Sequence, residues 1–282
     1  MSIFLRKFTL NCRGQLLDLS SPKVMGILNL TPDSFHDGGR YHQIDHALRQ
    51  AEKMLEEGVA IIDIGGMSSR PGAELISVDE ELARVLPVLD KIIDTFPEAI
   101  ISIDTIRSEV ATRSLEIGAH IINDISAGKF DQELFKIVAK FQAPYILMHM
   151  QGRPNDMQAK PDYTEVVTDL VDFFVQKIRT LRQLGVKDII IDPGFGFGKT
   201  VAHNFTILQN LNAFSILNLP ILAGVSRKSM ICKVLRVKPE EALNGTTALH
   251  MAALINGASI LRAHDVKEAN ETISLWRHLE NP

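Results

Sequence analysis

The stretch "AIISIDTIRSEVATRSLEIGAHIINDIS", residues 99–126, contains one complete strand–helix–strand unit. Two short apolar runs, 99–104 and 119–126, flank a helical segment at 106–118 that ends at Gly118. Neither run alternates with polar residues, which is typical of parallel strands covered on both faces. The stretch therefore predicts an α/β fold built on a parallel sheet.

The same unit recurs along the chain. Further apolar runs raise the number of predicted strands to eight, and they lie at 24–29, 59–66, 144–150, 188–194, 220–226 and 258–264. Further amphipathic segments are predicted as helices at 44–58, 78–96, 163–185, 238–257 and 265–280. Pro87 should kink the second of these helices or divide it in two. Eight strands that alternate with helices favour a closed (β/α)8 TIM barrel over an open sheet.

One domain, residues 1–282, accounts for this pattern. A length of 282 residues lies within the range of a single α/β barrel, and the sequence has no linker, tandem repeat or low-complexity segment. Residues 3–19 are expected to form a short N-terminal hairpin that plugs the bottom of the barrel.

Composition narrows the classes of partner. The net charge is −4 and the lysines and arginines are scattered, so we expect no nucleic acid partner. Cys12 and Cys232 have neither the spacing of a metal site nor the density of a disulfide scaffold, and we interpret both as thiols in a reducing compartment. The first fifteen residues lack an export signal, and no apolar run is long enough to span a membrane. A soluble, cytoplasmic protein is the expectation.

Every predicted strand is followed by a group that can bind a polar ligand. The loops after the strands form the active face of such a barrel, so these groups should converge on one concave site. The main members, in chain order, are Asn29, Asp104, Asn123, Asp124, His149, Asp192, Ser226, Arg227, Lys228, Arg262 and His264.

Four of these groups are suited to a flat heterocycle. Asp104, Asn123, Asp192 and Lys228 come from different strands and would point inward. A carboxylate accepts two hydrogen bonds in a fork, and an asparagine offers one donor and one acceptor. Asp104 is also a candidate N-cap for the following helix, and Asn123 a candidate turn residue.

The remaining cations are suited to phosphate. Arg227 and Lys228 follow the seventh strand, at the start of a helix, and Arg262 and His264 follow the eighth. Barrels often bind phosphate at this corner, although the first two could also be a solvated surface pair. Asn29 on the adjacent first strand could help to hold Mg²⁺ that bridges phosphate oxygens.

The segment "PGFGFGKT", residues 193–200, resembles a phosphate-binding loop but does not match one. The position five residues before Gly198 is Pro193, where that motif requires glycine. We interpret the segment as a tight loop that either exposes Phe195 and Phe197 to a flat substrate or packs them against a helix. His149 is expected to form a hydrogen bond or to line the pocket wall, since no Ser–His–Asp set accompanies it.

Eight motifs together identify a resemblance that covers about residues 23–280. They are "GILNLTPDSFHDGG", "DIGGMSSRPGA", "ISIDT", "NDISAG", "LMHMQGRP", "DPGFGFGK", "GVSRKSMI" and "LRAHDV". In these motifs the chain closely resembles the dihydropteroate synthase family. The resemblance implies a Mg²⁺-dependent reaction of 6-hydroxymethyl-7,8-dihydropterin diphosphate with 4-aminobenzoate in folate biosynthesis, by an SN1-like loss of diphosphate. It also implies a sulfonamide target and, commonly, a homodimer.

The resemblance assigns roles to matched positions. The implied pterin-binding residues are Asp104, Asn123, Met148, Asp192 and Lys228. Those around the aminobenzoate are Phe35, Ser69, Arg70, Pro71, Phe197 and Ser226. Asn29, Arg262 and His264 match the diphosphate site, with Asn29 also as the metal ligand, and Asp37, Arg70 and Lys228 are the implied catalytic residues.

Two other functions use a similar barrel. A pterin-dependent methyltransferase with a corrinoid partner would explain the acids and the asparagine, but not the segment "TPDSFHDGG" or the paired cations. A non-catalytic pterin-binding barrel would have no need of the loop and cation set.

Overall fold

The chain begins, in the part that can be described, with an antiparallel hairpin. A computed structural model describes residues 7–30, 40–67, 75–152 and 161–280. Strands β1 (Thr9–Cys12) and β2 (Gln15–Asp18) pair through a tight turn at Arg13 and Gly14, which both have positive φ. The predicted N-terminal hairpin is confirmed.

Eight parallel strands follow within the described residues. They are β3 (Lys23–Asn29), β4 (Ile61–Gly65), β5 (Ile101–Asp104), β6 (Ile121–Asp124), β7 (Tyr145–Met148), β8 (Ile189–Asp192), β9 (Leu222–Ala223) and β10 (Ile260–Ala263). Their order in the sheet is β8-β7-β6-β5-β4-β3-β10-β9. A parallel bridge between Ile191 and Ile221 joins the first and last strands. Each strand coincides with or overlaps a predicted apolar run, and the barrel is confirmed.

Helices connect the strands on the outside. They are α1 (Arg40–Glu56), α2 (Val78–Thr95), α3 (Ser108–Ile117), α4 (Glu133–Phe141), α5 (Val166–Gln183), α6 (Val201–Gln209), α7 (Ser229–Leu235), α8 (Leu243–Ile255) and α9 (Val266–Glu280). Short 3-10 helices lie at Leu211–Leu217 and Pro239–Glu241. Helix α2 continues through Pro87 without dividing, and α4 and α6 are additions to the predicted set. Of the described helices, none has the length and apolar character needed to cross a lipid bilayer.

The hairpin closes the bottom of the barrel. Leu10, Cys12, Leu17 and Leu19 pack on the lowest inward layer of strand side chains. That layer consists of Met25, Ile61, Ile100, Ile121, Ile146, Ile190, Leu222 and Ile260. The lower half of the barrel is therefore a dry apolar core, and a ligand can enter from the other end.

The character of the interior changes one layer higher. Side chains of a strand alternate between the two faces, so residues two positions after the apolar layer also point inward. On β4, β5, β6, β8 and β10 these residues are Asp63, Ser102, Asn123, Asp192 and Arg262. Five polar groups thus form the floor of a cup that opens toward the carboxyl ends of the strands.

Candidate active site

Arg262 joins two buried acids in the middle of the cup. Its Nε donates to Asp63 Oδ2 at 2.7 Å, and its Nη2 donates to Asp104 Oδ2 at 2.9 Å. Asn123 Nδ2 donates to the same Asp63 oxygen at 3.0 Å. Strands β4, β5, β6 and β10 each supply one member. Closure of the barrel therefore creates the cluster from residues that are far apart in sequence.

Burial makes the Asp104 carboxyl group a weaker acid than usual. It raises the pKa of Asp104 to about 7; the Arg262 guanidinium opposes this shift, and the neighbouring Asp63 adds to it. The ionised form of Asp104 is therefore disfavoured while the cup holds no ligand. A ligand that donates N–H bonds to this group would favour the carboxylate.

Asp192 and Lys228 face the cup from the opposite side. Asp192 Oδ1 accepts from Gly194 N at 2.7 Å. Lys228 Nζ donates to Phe195 O and lies 4.3 Å from the centroid of the Phe197 ring. Burial raises the pKa of Asp192 and lowers that of Lys228 to about 8, and each of the two charges opposes the shift of the other.

Three buried polar atoms of the floor have no hydrogen-bond partner among the described residues. They are Asp63 Oδ1, Ser102 Oγ and Asn123 Oδ1. Nearly all buried polar atoms in folded proteins are paired, so these atoms indicate a place for a ligand or water. Two of them are pure acceptors, and the group that binds them must bring N–H or O–H donors.

One side of the cup is apolar. Met148 and Phe197 belong to a small buried cluster that also contains Met67, Ile106, Ile125 and Met150. An apolar wall beside a polar floor is suited to a flat ring with hydrogen-bonding edges.

Polar groups return at the rim. Ser226 Oγ lies 3.0 Å from His264 Nδ1 and accepts from His264 N at 3.2 Å. A Cβ atom on Gly65 would lie 3.6 Å from both Asn29 Oδ1 and Asp104 Cβ, so Asn29 and Asp104 border the same space. The rim above β3, β9 and β10 therefore carries the amide, hydroxyl and imidazole that the sequence predicts there.

Arg227 does not join these groups. It forms a bidentate salt bridge with Asp265, Nε to Oδ2 at 2.9 Å and Nη2 to Oδ1 at 2.6 Å, and it also donates to the carbonyls of Pro239 and Glu240. The expectation that Arg227 and Lys228 act together on phosphate is wrong for the first of them, because consecutive residues after β9 point to opposite sides.

Three other candidates also turn away from the cup. Asp124 accepts from Ser126 N, Gly128 N and Tyr145 Oη and so shapes its own turn. Phe195 is fully buried, which leaves Phe197 as the aromatic ring of that loop at the cup. His149 confirms the hydrogen-bonding role expected of it, since its Nδ1 lies 3.0 Å from Lys199 Nζ.

Two residues of the site were missed by sequence reasoning. Asp63 lies inside the run "AIIDIGG" and not at its end, and only residues at strand ends were predicted as candidates. A lone acid in an apolar strand was nevertheless a signal of a functional residue. Its position two residues before Gly65 places it on the inward face. Lys199 ends the loop "PGFGFGK" and is buried to 2% exposure.

Five residues named from the resemblance lie outside the described ranges. They are Phe35, Asp37, Ser69, Arg70 and Pro71.

Known proteins are similar to this chain in sequence and architecture. A family model described as pterin binding enzyme matches residues 25–264. The dihydropteroate synthase of Escherichia coli strain K12 is 46% identical over 263 residues, which cover 93% of each chain. A structure of Yersinia pestis dihydropteroate synthase with a sulfonamide drug complex has a TM-score of 0.92 at 43% identity and covers 98% of this chain and 100% of its own. The Xanthomonas albilineans dihydropteroate synthase in complex with 7,8-dihydropteroate has a TM-score of 0.87 at 35% identity, with coverage of 98% and 100%.

These matches are extensive enough to assign the chain to a family. Because the family model covers most of the chain and close relatives cover nearly all of it, the chain belongs to the dihydropteroate synthase family of pterin-binding enzymes.

Proposed function

We propose that the cup condenses 6-hydroxymethyl-7,8-dihydropterin diphosphate with 4-aminobenzoate to give 7,8-dihydropteroate and diphosphate, a step of folate biosynthesis. The observation that carries this proposal is the convergence of Asp63, Asn123 and Asp192 on the floor with Asp104 just above it, and with Arg262 and Lys228 beside them. Such a floor matches a pterin, whose ring N–H and amino groups are donors.

The pterin would bind with its ring edge toward the acids. Asp192 and Asn123 would accept from the amino and ring N–H groups, and Asp104 would accept from the opposite edge. Met148 would pack against the ring face. Lys228, held by its bond to Phe195 O, would donate to a ring acceptor.

Loss of diphosphate would precede attack by the amine. The electron-rich pterin ring can stabilise a cation on its methylene carbon, so the C–O bond can break first. The buried carboxylates of Asp104 and Asp192 would favour that positive charge, while Arg262 and His264 would favour the departing anion. An arylamine has low basicity and needs no strong general base. His149 supplies none, because burial lowers its pKa to about 2.

The aminobenzoate would occupy the outer part of the cup. Phe197 would pack on its ring and Ser226 would hold its carboxylate. The resemblance adds Phe35, Ser69 and Pro71 around this ring, and Asp37 and Arg70 as catalytic groups on the loops that carry them.

A release assay tests the reaction itself. We expect diphosphate release to require both substrates, and a sulfonamide to raise the KM for 4-aminobenzoate without changing kcat. This pattern is expected because both compounds would fill the same outer pocket. Non-competitive inhibition would contradict the assigned pocket. Methyl transfer to a corrinoid, without diphosphate release, would identify the rival methyltransferase.

Mg²⁺ would be held at the rim by Asn29. Groups of three or more acidic, histidine or cysteine residues suited to a metal are absent from the described part of the chain. A single amide oxygen fits Mg²⁺, which keeps several waters and takes its other ligands from substrate phosphates. When bound there, the ion would neutralise charge on the diphosphate oxygens.

Removal of the metal gives a simple expectation. EDTA should stop turnover and added Mg²⁺ should restore it, because without the ion only part of the charge on the departing diphosphate would be compensated. Asn29→Ala should raise the Mg²⁺ concentration needed for half-maximal rate by about 10-fold, the loss of one ligand contact. Titration of initial rates with Mg²⁺ measures this shift, and full turnover in EDTA would contradict it.

We also propose a homodimer in the cytoplasm. Helix α8 is apolar on several sides, and Ala248 and Ile255 are exposed on it, which supports a covered face in the assembly. Cys12 and Cys232 are both free thiols, which is consistent with a reducing compartment. Light scattering gives the mass in solution, and a monomer at micromolar concentration would contradict the dimer.

A further inference from the structure

Lys199 is a buried lysine behind the loop that follows β8. Its Nζ has four partners: His149 Nδ1 at 3.0 Å, His149 O at 3.3 Å, Gly194 O at 3.0 Å and Phe197 O at 3.1 Å. In its ammonium form Lys199 only donates, and His149 Nδ1 is then the acceptor. The lysine therefore joins the end of β7 to two points of the neighbouring loop.

These contacts are made without a carboxylate. Among the described residues, the hydrogen-bond partners of Lys199 are all neutral. Burial lowers the pKa of Lys199 to about 7, and the charge of Asp192 opposes this shift. Burial of a charged amine costs free energy, and an apolar side chain would fill the same space without that cost. A role in packing alone therefore does not explain a lysine at this position.

The loop held by Lys199 packs tightly on the end of β7. Gly194 and Gly198 both have positive φ. A Cβ atom on Gly194 would lie 2.0 Å from His149 O, and one on Gly198 would lie 2.4 Å from Gln151 O. The backbone therefore approaches so closely that only glycine fits, and Lys199 bonds the carbonyls that this approach brings together.

The opposite side of the same loop faces the cup. Gly194 N donates to Asp192 Oδ1 at 2.7 Å. Phe195 O accepts from Lys228 Nζ, and the Phe197 ring lies 4.3 Å from that nitrogen. Lys199 thus holds residues 194 and 197 from behind, while Asp192 and Lys228 contact residues 194, 195 and 197 from the front.

We propose that Lys199 is a positioning residue for the condensation. It fixes the backbone of residues 194–197, and this backbone in turn sets the positions of Asp192, Phe197 and Lys228 in the cup. The proposal rests on the proposed function, in which Asp192 and Lys228 bind the pterin and Phe197 packs on the aminobenzoate.

Lys199→Met tests this role, because methionine keeps the length of the side chain and removes its donors. We expect the folded variant to bind the pterin diphosphate at least about 10-fold more weakly and to lose at least about 10-fold in kcat, since small misplacement of binding groups has effects of this size. Calorimetry gives the binding constant, and steady-state kinetics separate kcat from the KM for 4-aminobenzoate. Lys199→Arg, which keeps the charge and donors, should recover part of the loss.

Lys177→Met is the matched control. Lys177 Nζ donates to Ala127 O at 2.9 Å and lies over the Phe135 and Phe173 rings, so it also ties a loop through a carbonyl, but outside the cup. We expect this variant to lose stability with kcat and KM within twofold of the parent. The same pattern in Lys199→Met would overturn the proposal and leave Lys199 a stabilising residue.

Three further outcomes are separable. If Lys199→Met does not fold, Lys199→Gln keeps one donor group and carries the same comparison of kcat and binding. If the parent enzyme releases no diphosphate with both substrates, the proposed function fails. If the parent is active and Lys199→Met, or Lys199→Gln in its place, matches its kcat and pterin binding, only the positioning role fails.

Discussion

Asp192→Asn is expected to weaken pterin binding by about 3 kcal/mol, roughly 100-fold, while the barrel stays folded. Asp192 Oδ1 already accepts from Gly194 N at 2.7 Å. Its Oδ2 faces the cup, where a Cβ atom on Gly224 would lie 3.9 Å from it. In the variant the amide oxygen would keep the bond to Gly194, and the amide nitrogen would then present hydrogens to a pterin edge that is itself a donor.

Asp188→Asn provides the control at the other end of the same sequence run. Asp188 precedes β8 at the bottom of the barrel, and its Oδ2 accepts from Asn11 N of the hairpin at 3.1 Å. We expect this variant to bind pterin diphosphate with the affinity of the parent. Calorimetric titration of the three proteins, with thermal unfolding to confirm the fold, makes the comparison. Parent-like binding by Asp192→Asn would remove Asp192 from the pterin site.

Arg262→Ala is expected to lower the free energy of unfolding by about 3–5 kcal/mol at pH 8, in addition to weakening diphosphate binding. The arginine contacts both Asp63 and Asp104 in the buried floor. Removal of one partner from a buried ion pair leaves the other charge uncompensated. A change that affected diphosphate binding alone is therefore not expected for this residue.

The pH dependence of the Arg262→Ala effect follows from Asp104. Its folded-state pKa is raised to about 7 from an ordinary value of 3.8, so the folded state binds more protons and stability falls as the pH rises between these values. Arg262 opposes that rise in pKa, so its removal raises the pKa of Asp104 further. At pH 5 the Asp104 carboxyl is protonated in the parent and in Arg262→Ala. At pH 8 the carboxyl of the variant either ionises without Arg262 or stays protonated, and both alternatives cost free energy. The loss of stability should therefore be larger at pH 8 than at pH 5.

Arg227→Ala is the control for this pH dependence. The Arg227 guanidinium beside Asp265 lowers the pKa of that carboxyl group, so the stability it contributes is lost only as the pH falls below about 4. Between pH 5 and pH 8 the effect of Arg227→Ala on the free energy of unfolding should stay constant. Urea unfolding at both pH values measures the four differences. An Arg262→Ala effect that is equally flat would contradict the role given to Asp104.

The architecture could be predicted because its signal is local. Eight apolar runs without alternation specify buried parallel strands, and each run is found as a strand. Helices α4 and α6 have nine residues each, and helices of this length depend on packing against the barrel rather than on their own sequence. Sequence alone therefore gave them a weak signal.

The site was less predictable because it depends on register. The acids at strand ends, such as Asp104 and Asp192, could be found by position. Asp63 gave only the signal of a lone acid in an apolar strand, because its contact with Arg262, 199 residues away, requires the closed sheet. Lys228 and Arg227 differ by one residue and have the same charge, yet the turn after β9 sends one into the cup and the other to Asp265. Such choices are made by tertiary geometry.

A crystal structure with pterin diphosphate and Mg²⁺ tests the central claim most directly. We expect the pterin ring in the cup against Asp104, Asn123 and Asp192, with Lys228 at its edge and the diphosphate at the rim near Asn29 and His264. A ligand bound outside the mouth of the barrel, with Asp63 Oδ1 and Asn123 Oδ1 still without hydrogen-bond donors beneath it, would contradict the account.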